Sequence, residues 1–285
     1  MKLGIVLAGV LRTKIEFGEL CTFAADNGYG AIDVPGDGIE GAEIARKAGL
    51  EVAAVGGGPS LFIADEAERE TNVKAAIERI EAAANVGIKL IMMGHARVPD
   101  ADDEVTLAAA KAGLTPVAAR AEQLGVKLVF ENYAAAGRNF MISPYNWRRL
   151  FEAVPSPAVG LCMDPSHLVG LGIDWHRTLH EFGPRIFYAH AKDTELYPED
   201  LYQHGYLHGP NFGRRDLNGR GWWRFTLPGF GVVDWGRYIG GLHEVGYKGV
   251  LSVEQEDDAW GFRTDVKRAL EGLKITARYL RPFLD

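Results

Sequence analysis

The chain has 285 residues, 47% hydrophobic and 24% charged, enough to bury one large core and close to the length typical of one α/β barrel. Its formal net charge of −7 and pI near 5.7 argue against a nucleic-acid partner, whose binding would draw most of its affinity from basic residues displacing counterions. No apolar run approaches the roughly 20 residues needed to cross a bilayer, and Cys21 and Cys162, each in an apolar stretch, read as buried thiols in a cytoplasmic protein.

The opening MKLGIVLAGVLRTK has one lysine before a short apolar run, as a signal peptide does. No small-residue cleavage site follows, however, and Arg12 and Lys14 end the run early. Residues 3–8 are therefore predicted as the first strand. Further short apolar or β-branched runs follow at 31–34, 51–55, 88–93, 126–131, 159–164, 185–190 and 249–254. Segments of helical period lie between them, among them 17–27, 66–85, 105–124 and 234–244, followed by Gly28, Gly87, Gly125 and Gly246 where a left-handed cap is wanted. Eight strands alternating with helices predict a parallel (β/α)8 barrel forming one domain over residues 1–285.

Two glycine patterns fall on this path. Gly36–Gly41 matches GxGxxG between a strand and a helix, but Asp37 and Glu40 would put negative charge where a pyrophosphate must dock, so dinucleotide binding is not expected. Gly56 to Gly58, after the third strand, either lets backbone approach a ligand or makes a tight turn. One stretch breaks the rhythm: residues 194–229, after the seventh strand, form a long insertion rich in Tyr, Gly, Arg, His and Trp. An insertion of that length reads as an active-site lid or an interface element, including that of a homo-oligomer.

In a (β/α)8 barrel the functional groups stand at the C-terminal ends of the strands. Four consecutive strands end in metal-ligand types here: Glu131 in VFEN, Asp164 in CMDPSH, His190 in YAHAKD and Glu254 in LSVEQED. Any one of them could simply close a strand, but all four doing so on adjacent strands is a poor reading, and the three carboxylates would repel without a cation between them. Three carboxylates and an imidazole suit one divalent ion, with Mn²⁺ expected and Mg²⁺, Co²⁺ or Zn²⁺ as alternatives. Glu256 shares the parity of Glu254; with Asp257 and Asp258 it reads as a solvated turn or as groups behind the ligands.

Taken with ENY, DPSH, HAKDTE, GWWRFTLPGFGVVDW and GYKGVLSVEQED, the whole chain resembles the sugar isomerase/epimerase family of xylose-isomerase-like TIM barrels, which also includes the apurinic endonucleases. The spacings from Glu131 to Asp164 and on to His190 resemble those of ketose 3-epimerases. The resemblance implies that Glu131, Asp164, His190 and Glu254 bind one divalent metal, that Glu131 and Glu254 are also the acid/base pair, and that His167 contacts substrate oxygens. Where ketose 3-epimerases carry an arginine after the histidine strand, this chain has Glu195 and Leu196.

The expected chemistry is abstraction of a proton α to the carbonyl of a ketose, keto-inositol or related small carbohydrate, giving an isomerase or epimerase. The alternative is a lyase that loses water or an aglycone from a keto-inositol or 3-keto-glycoside. Further candidate substrate contacts are Lys192, which could instead pair with Glu131 or Glu254, His95 at the end of the fourth strand, and Trp223, Arg224, His204 and His208 in the insertion. His176, His180 and His243 fall in helical stretches and read as surface or packing residues. A phosphodiesterase on abasic DNA is disfavoured: its metal cluster needs further histidines and a late Asp-x-His, where this chain has only His95 and HGYLHG. A binding module without activity is disfavoured because all four candidate ligands are intact.

Overall fold

The computed structural model describes residues 1–36, 39–56, 58–133, 138–206 and 221–284. Eight parallel strands close into a barrel: β1 (Lys2–Ile5), β2 (Ala31–Val34), β3 (Glu51–Val55), β4 (Leu90–Met92), β5 (Lys127–Glu131), β6 (Val159–Met163), β7 (Ile186–Ala191) and β10 (Val250–Val253). The barrel closes where β1 pairs with β10 on one side and β2 on the other. Helices α1 (Gly9–Thr13), α2 (Phe17–Asp26), α3 (Ile39–Lys47), α4 (Glu66–Asn85), α5 (Asp103–Leu124), α6 (Pro144–Ala153), α7 (Pro165–Gly170) and α8 (Trp175–Phe182) link the strands as far as β7. Between β7 and β10 come β8 (Asp193–Leu196), α9 (Pro198–His204), β9 (Trp223–Thr226) and α10 (Trp235–Glu244), and α11 (Val266–Leu284) ends the described chain. No helix among the described residues is long and apolar enough to cross a membrane.

The eight predicted barrel strands are all present, with shifted ends. The fourth is cut from 88–93 to Leu90–Met92 because Ile88 N–H bonds back to Ala83 O and finishes α4 instead of joining the sheet. The sixth stops at Met163, one residue before Asp164, whose N–H goes to the Asn132 side chain. At the end of α5, Gly125 takes φ 65° and turns the chain into β5, as the predicted cap requires. The described residues of the 194–229 region include an antiparallel pair, with Thr194 opposite Phe225 and Glu195 opposite Arg224. Residues 207–220, and with them His208, lie outside the described residues, as do Asp37 and Gly38 of the GxGxxG match and Gly57.

The large apolar cluster lies between strands and helices, while a smaller one, Ala31, Ala53, Ala54, Leu90, Val129, Cys162 and Tyr188, draws on six successive strands. Side chains alternate along a strand, so residues two positions further on return to the same side. From Val129 that step reaches Glu131, from Cys162 Asp164, from Tyr188 His190, and from Ser252 Glu254. The candidate ligands are thus the next layer of the barrel filling, at the C-terminal ends of β5, β6, β7 and β10.

One acid lies within this packed interior. Asp33 is buried, with the Tyr188 hydroxyl donating to its Oδ1 at 2.5 Å, and that hydroxyl also lies 2.7 Å from Ser252 Oγ. Burial, aided by Glu254 and Glu131 and only partly offset by Tyr188 and His190, pushes Asp33 from an ordinary 3.8 up to about 7. The folded chain then holds a proton that the unfolded chain releases, so Asp33 costs stability as pH rises from about 4 to about 7. Asp33→Asn should therefore gain on the parent protein across that window, reaching about 4 kcal/mol at most. Urea unfolding at pH 4.5 and pH 8 measures this; an equal difference at both would refute it.

Candidate active site

Asp164 divides its two oxygens between structure and site. It caps α7, with Oδ1 accepting from Ser166 N at 2.8 Å and Ser166 Oγ at 2.6 Å. Oδ2 is buried and accepts no hydrogen bond from the described residues. Asn132 fixes the backbone of Asp164 from both sides, donating to its carbonyl and accepting from its N–H, each at 2.8 Å. This reciprocal pair continues the register of β5 and β6 just past their ends.

Around Asp164 Oδ2 the other donors converge. His190 Nδ1 lies 3.1 Å from Glu131 Oε1, 3.4 Å from Glu254 Oε2 and 3.8 Å from Asp164 Oδ2. His167 Nε2 enters from α7, 3.4 Å from Glu131 Oε1 and 3.7 Å from Asp164 Oδ2. One donor atom from each of Glu131, Asp164, His167 and Glu254 falls within 4.8 Å of all the others. That group holds His167, expected only to touch substrate, in place of the expected ligand His190, although His190 Nδ1 also lies within 3.8 Å of a carboxylate oxygen of Glu131, Asp164 and Glu254. Three carboxylates and two imidazoles, with Asp164 Oδ2 making no hydrogen bond among the described residues and an ion pair to Lys192, fit a divalent cation.

Lys192 brings a positive charge to the same place. Its side chain is buried, with Nζ paired to Glu254 Oε2 and lying 3.2 Å from Asp164 Oδ2, 3.0 Å from Glu256 Oε2 and 3.9 Å from Glu131 Oε1. Nζ also lies 3.1 Å from His167 Nε2. Pairing with Glu131 and Glu254 was one of its two expected roles. Glu256, read as a solvated turn or a supporting group, reaches the ammonium because parity turns it inward with Glu254.

The electrostatics follow from this crowding. Burial would raise Glu131, but His190, His167 and Lys192 outweigh it and hold the carboxyl well below its ordinary value. Glu254 is lowered in the same way, against burial and the repulsion of Glu131, by Lys192 and His190. Burial disfavours charge on His190, yet Cys162, Glu131 and Glu254 raise it well above an ordinary imidazole. Burial pushes the Cys162 thiol up to about 12, so at neutral pH it is uncharged and the two glutamates carry the effect. Burial is also the main cause that raises Glu256, against Lys192.

The β8/β9 hairpin roofs one side. Phe225 sets its ring 4.6 Å from Lys192 Nζ and 5.0 Å from the His167 ring, and Tyr133 lies 5.1 Å from His167 on another side. Asp193, fully buried, anchors the hairpin by accepting from Thr194 N, Gly229 N, Val233 N and Trp235 Nε1. Trp223 packs on Phe225, with ring centroids 4.9 Å apart, and lies over Gly170 of α7. Arg224 projects elsewhere, to Glu195 Oε2 at 2.7 Å, Tyr197 Oη at 2.8 Å and Asp257 Oδ1 at 2.8 Å. Asp257, expected in a solvated turn or behind the ligands, is fully buried because it receives Arg224, Thr226 Oγ1 and Ala259 N. His95 is buried with Nδ1 accepting from Met141 N at 3.2 Å, and burial pushes it down to about 4, so its ring is neutral. His204 is exposed on α9.

Asn132 and Phe225 were missed as site residues in the sequence, and Glu256 was read there as a solvated turn or a group behind the ligands. Only Glu256 carried a signal, its even spacing from Glu254; the other two depend on loop and hairpin geometry.

The family model for the xylose isomerase-like TIM barrel matches residues 19–281. An inosose dehydratase of Geobacillus kaustophilus (strain HTA426) is 31% identical over 146 residues, 51% of this chain and 44% of that protein. The chain spans about half the length of the curated relatives it matches. Among solved structures, an IOLI protein with a bound zinc atom superposes with a TM-score of 0.73 at 20% identity, covering 100% of this chain and 98% of that one. D-psicose 3-epimerase of Clostridium cellulolyticum H10, solved with D-tagatose, gives a TM-score of 0.73 at 16% identity, with 100% of both chains covered. The chain belongs to the xylose isomerase-like TIM barrel family.

Proposed function

We propose that the protein removes a proton α to the carbonyl of a small polyhydroxylated ketone, using Glu131, Asp164, His190 and Glu254 to hold one divalent ion. The convergence of three carboxylates on His190 Nδ1 carries this reading: three carboxylates with one imidazole are a mixed O/N donor set for a divalent ion, and the single ammonium of Lys192 does not balance their charge. When bound, the ion would supply Lewis-acid polarisation of the carbonyl. Glu131 and Glu254, both held ionised, stand on β5 and β10 and supply bases at two sides of the site. His167 and Lys192 offer donors to substrate oxygens, and Phe225 shields them from water.

Elimination of water is the preferred outcome, with epimerisation as the second reading. Lys192 and Glu256 support elimination: a glutamate base at 254 takes the α proton, the C–O bond β to the carbonyl breaks, and a proton from the Lys192–Glu256 pair converts the departing hydroxide to water as the C=C bond forms. The dehydratase name of the relatives agrees with this. Epimerisation draws support from the opposed pair Glu131 and Glu254, one removing and the other returning the proton.

The test is NMR in D2O with Mn²⁺ and a panel of inososes, 3-keto-glycosides and free ketoses. The expected result is loss of the α proton with appearance of a dehydrated product from an inosose. Deuterium incorporation with a new epimer selects the second reading. No exchange from any member of the panel would contradict both.

A further inference from the structure

A second group of metal-ligating side chains lies on the outside of the barrel, away from the strand ends. His176 and His180 stand one turn apart on α8, and their Nε2 atoms face each other at 3.4 Å. Across the groove, Glu244 at the end of α10 brings Oε2 to 3.6 Å from His180 Nε2. Gly241 allows the helices to approach: a Cβ there would already meet Leu179 Cδ2 at 3.2 Å and His180 Nε2 at 3.9 Å. All three side chains remain accessible, His180 at 39% and Glu244 at 69%.

Two ligands each roughly 2.0–2.1 Å from a tetrahedral ion lie about 3.4 Å apart. The two imidazoles already have that separation, and Glu244 Oε2 lies 3.6 Å from one of them, His180 Nε2. Neighbouring charges leave the position open, because Glu181 is held by Arg148 at 2.6 Å. We propose that His176, His180 and Glu244 bind a borderline transition ion, Zn²⁺ or Ni²⁺, with water completing the shell. Imidazole with one carboxylate favours these ions over Mg²⁺ or Mn²⁺. The ion ties α8, which leads into β7 and His190, to α10, which leads into β10 and Glu254. This site is independent of the reaction assigned to the barrel mouth.

The test uses the untagged full-length protein on a Ni²⁺-chelate resin, which a buried barrel site cannot reach, together with Zn²⁺ equilibrium dialysis. The parent protein should be retained and should bind one more Zn²⁺ than the His176→Gln/His180→Gln variant. His180→Gln alone should elute at least about tenfold earlier in imidazole, with its unfolding temperature in the absence of added metal unchanged, and Glu244→Gln should weaken retention less. Equal retention and equal Zn²⁺ content for parent and double variant would overturn the proposal, assigning the 3.4 Å contact to a plain His–His hydrogen bond.

Discussion

Glu254→Gln should abolish solvent-deuterium exchange into substrate, lowering turnover by at least about 10³-fold while the barrel stays folded. General-base catalysis alone contributes about 10²–10⁴-fold, and Glu254 is assigned two tasks, ion ligand and base. The amide keeps the volume and one carbonyl oxygen, so β10 can still close against β1 and β7. It cannot accept a proton, and it no longer answers the charge of Lys192, which pairs with Glu254 Oε2. Circular dichroism should show unchanged secondary structure. Exchange at more than a tenth of the parental rate would remove Glu254 from the proton-transfer step and leave Glu131 as the sole base.

Lys192→Met should bind Mn²⁺ at least about tenfold more tightly than the parent, a change of about 1.4 kcal/mol, while losing about 10²–10⁴-fold in activity. Its ammonium lies within 4 Å of Glu131, Asp164, Glu254 and Glu256, and so repels an ion held by three of them. Two unit charges 4 Å apart interact by about 4 kcal/mol at an effective dielectric of 20, so a tenfold effect leaves room for water and rearrangement to absorb most of that repulsion. Methionine keeps an unbranched side chain of similar length beside Phe225, whose ring lies 4.6 Å from Lys192 Nζ. Without the ammonium the carboxylates repel one another, so the variant should also gain more in unfolding temperature from added Mn²⁺ than the parent does. A purely structural lysine would shift stability alone and leave the Mn²⁺ affinity unchanged.

The barrel and its ligand layer were legible in the sequence because both follow from alternation. Each strand is short, apolar and followed by a turn, and the residue two steps beyond its last barrel-filling side chain is the candidate ligand. The same rule turned Glu256 to the side of Glu254, but the run of three acids read as a solvated turn or as groups behind the ligands, and only the structure shows Glu256 at Lys192 and Asp257 buried under Arg224 and Thr226. His167 was legible as a site residue, although its approach to the ligand atoms depends on Asp164 capping α7 and turning that helix inward. Arg224 could not be placed by pattern, because the β8/β9 pairing decides which side of the hairpin it takes. His176 and His180 looked like surface residues, and what makes them notable is Glu244 on another helix, a contact with no signature in either segment.

The most direct test of the barrel-mouth assignment is a Mn²⁺ titration followed by electron paramagnetic resonance, run on the parent and on Lys192→Met. Mn²⁺ suits this purpose because a hard ion prefers the carboxylates of the barrel to the imidazole pair on α8. The account predicts one tightly bound Mn²⁺ per chain in both proteins, with the variant binding more tightly. No bound Mn²⁺ in either would contradict it.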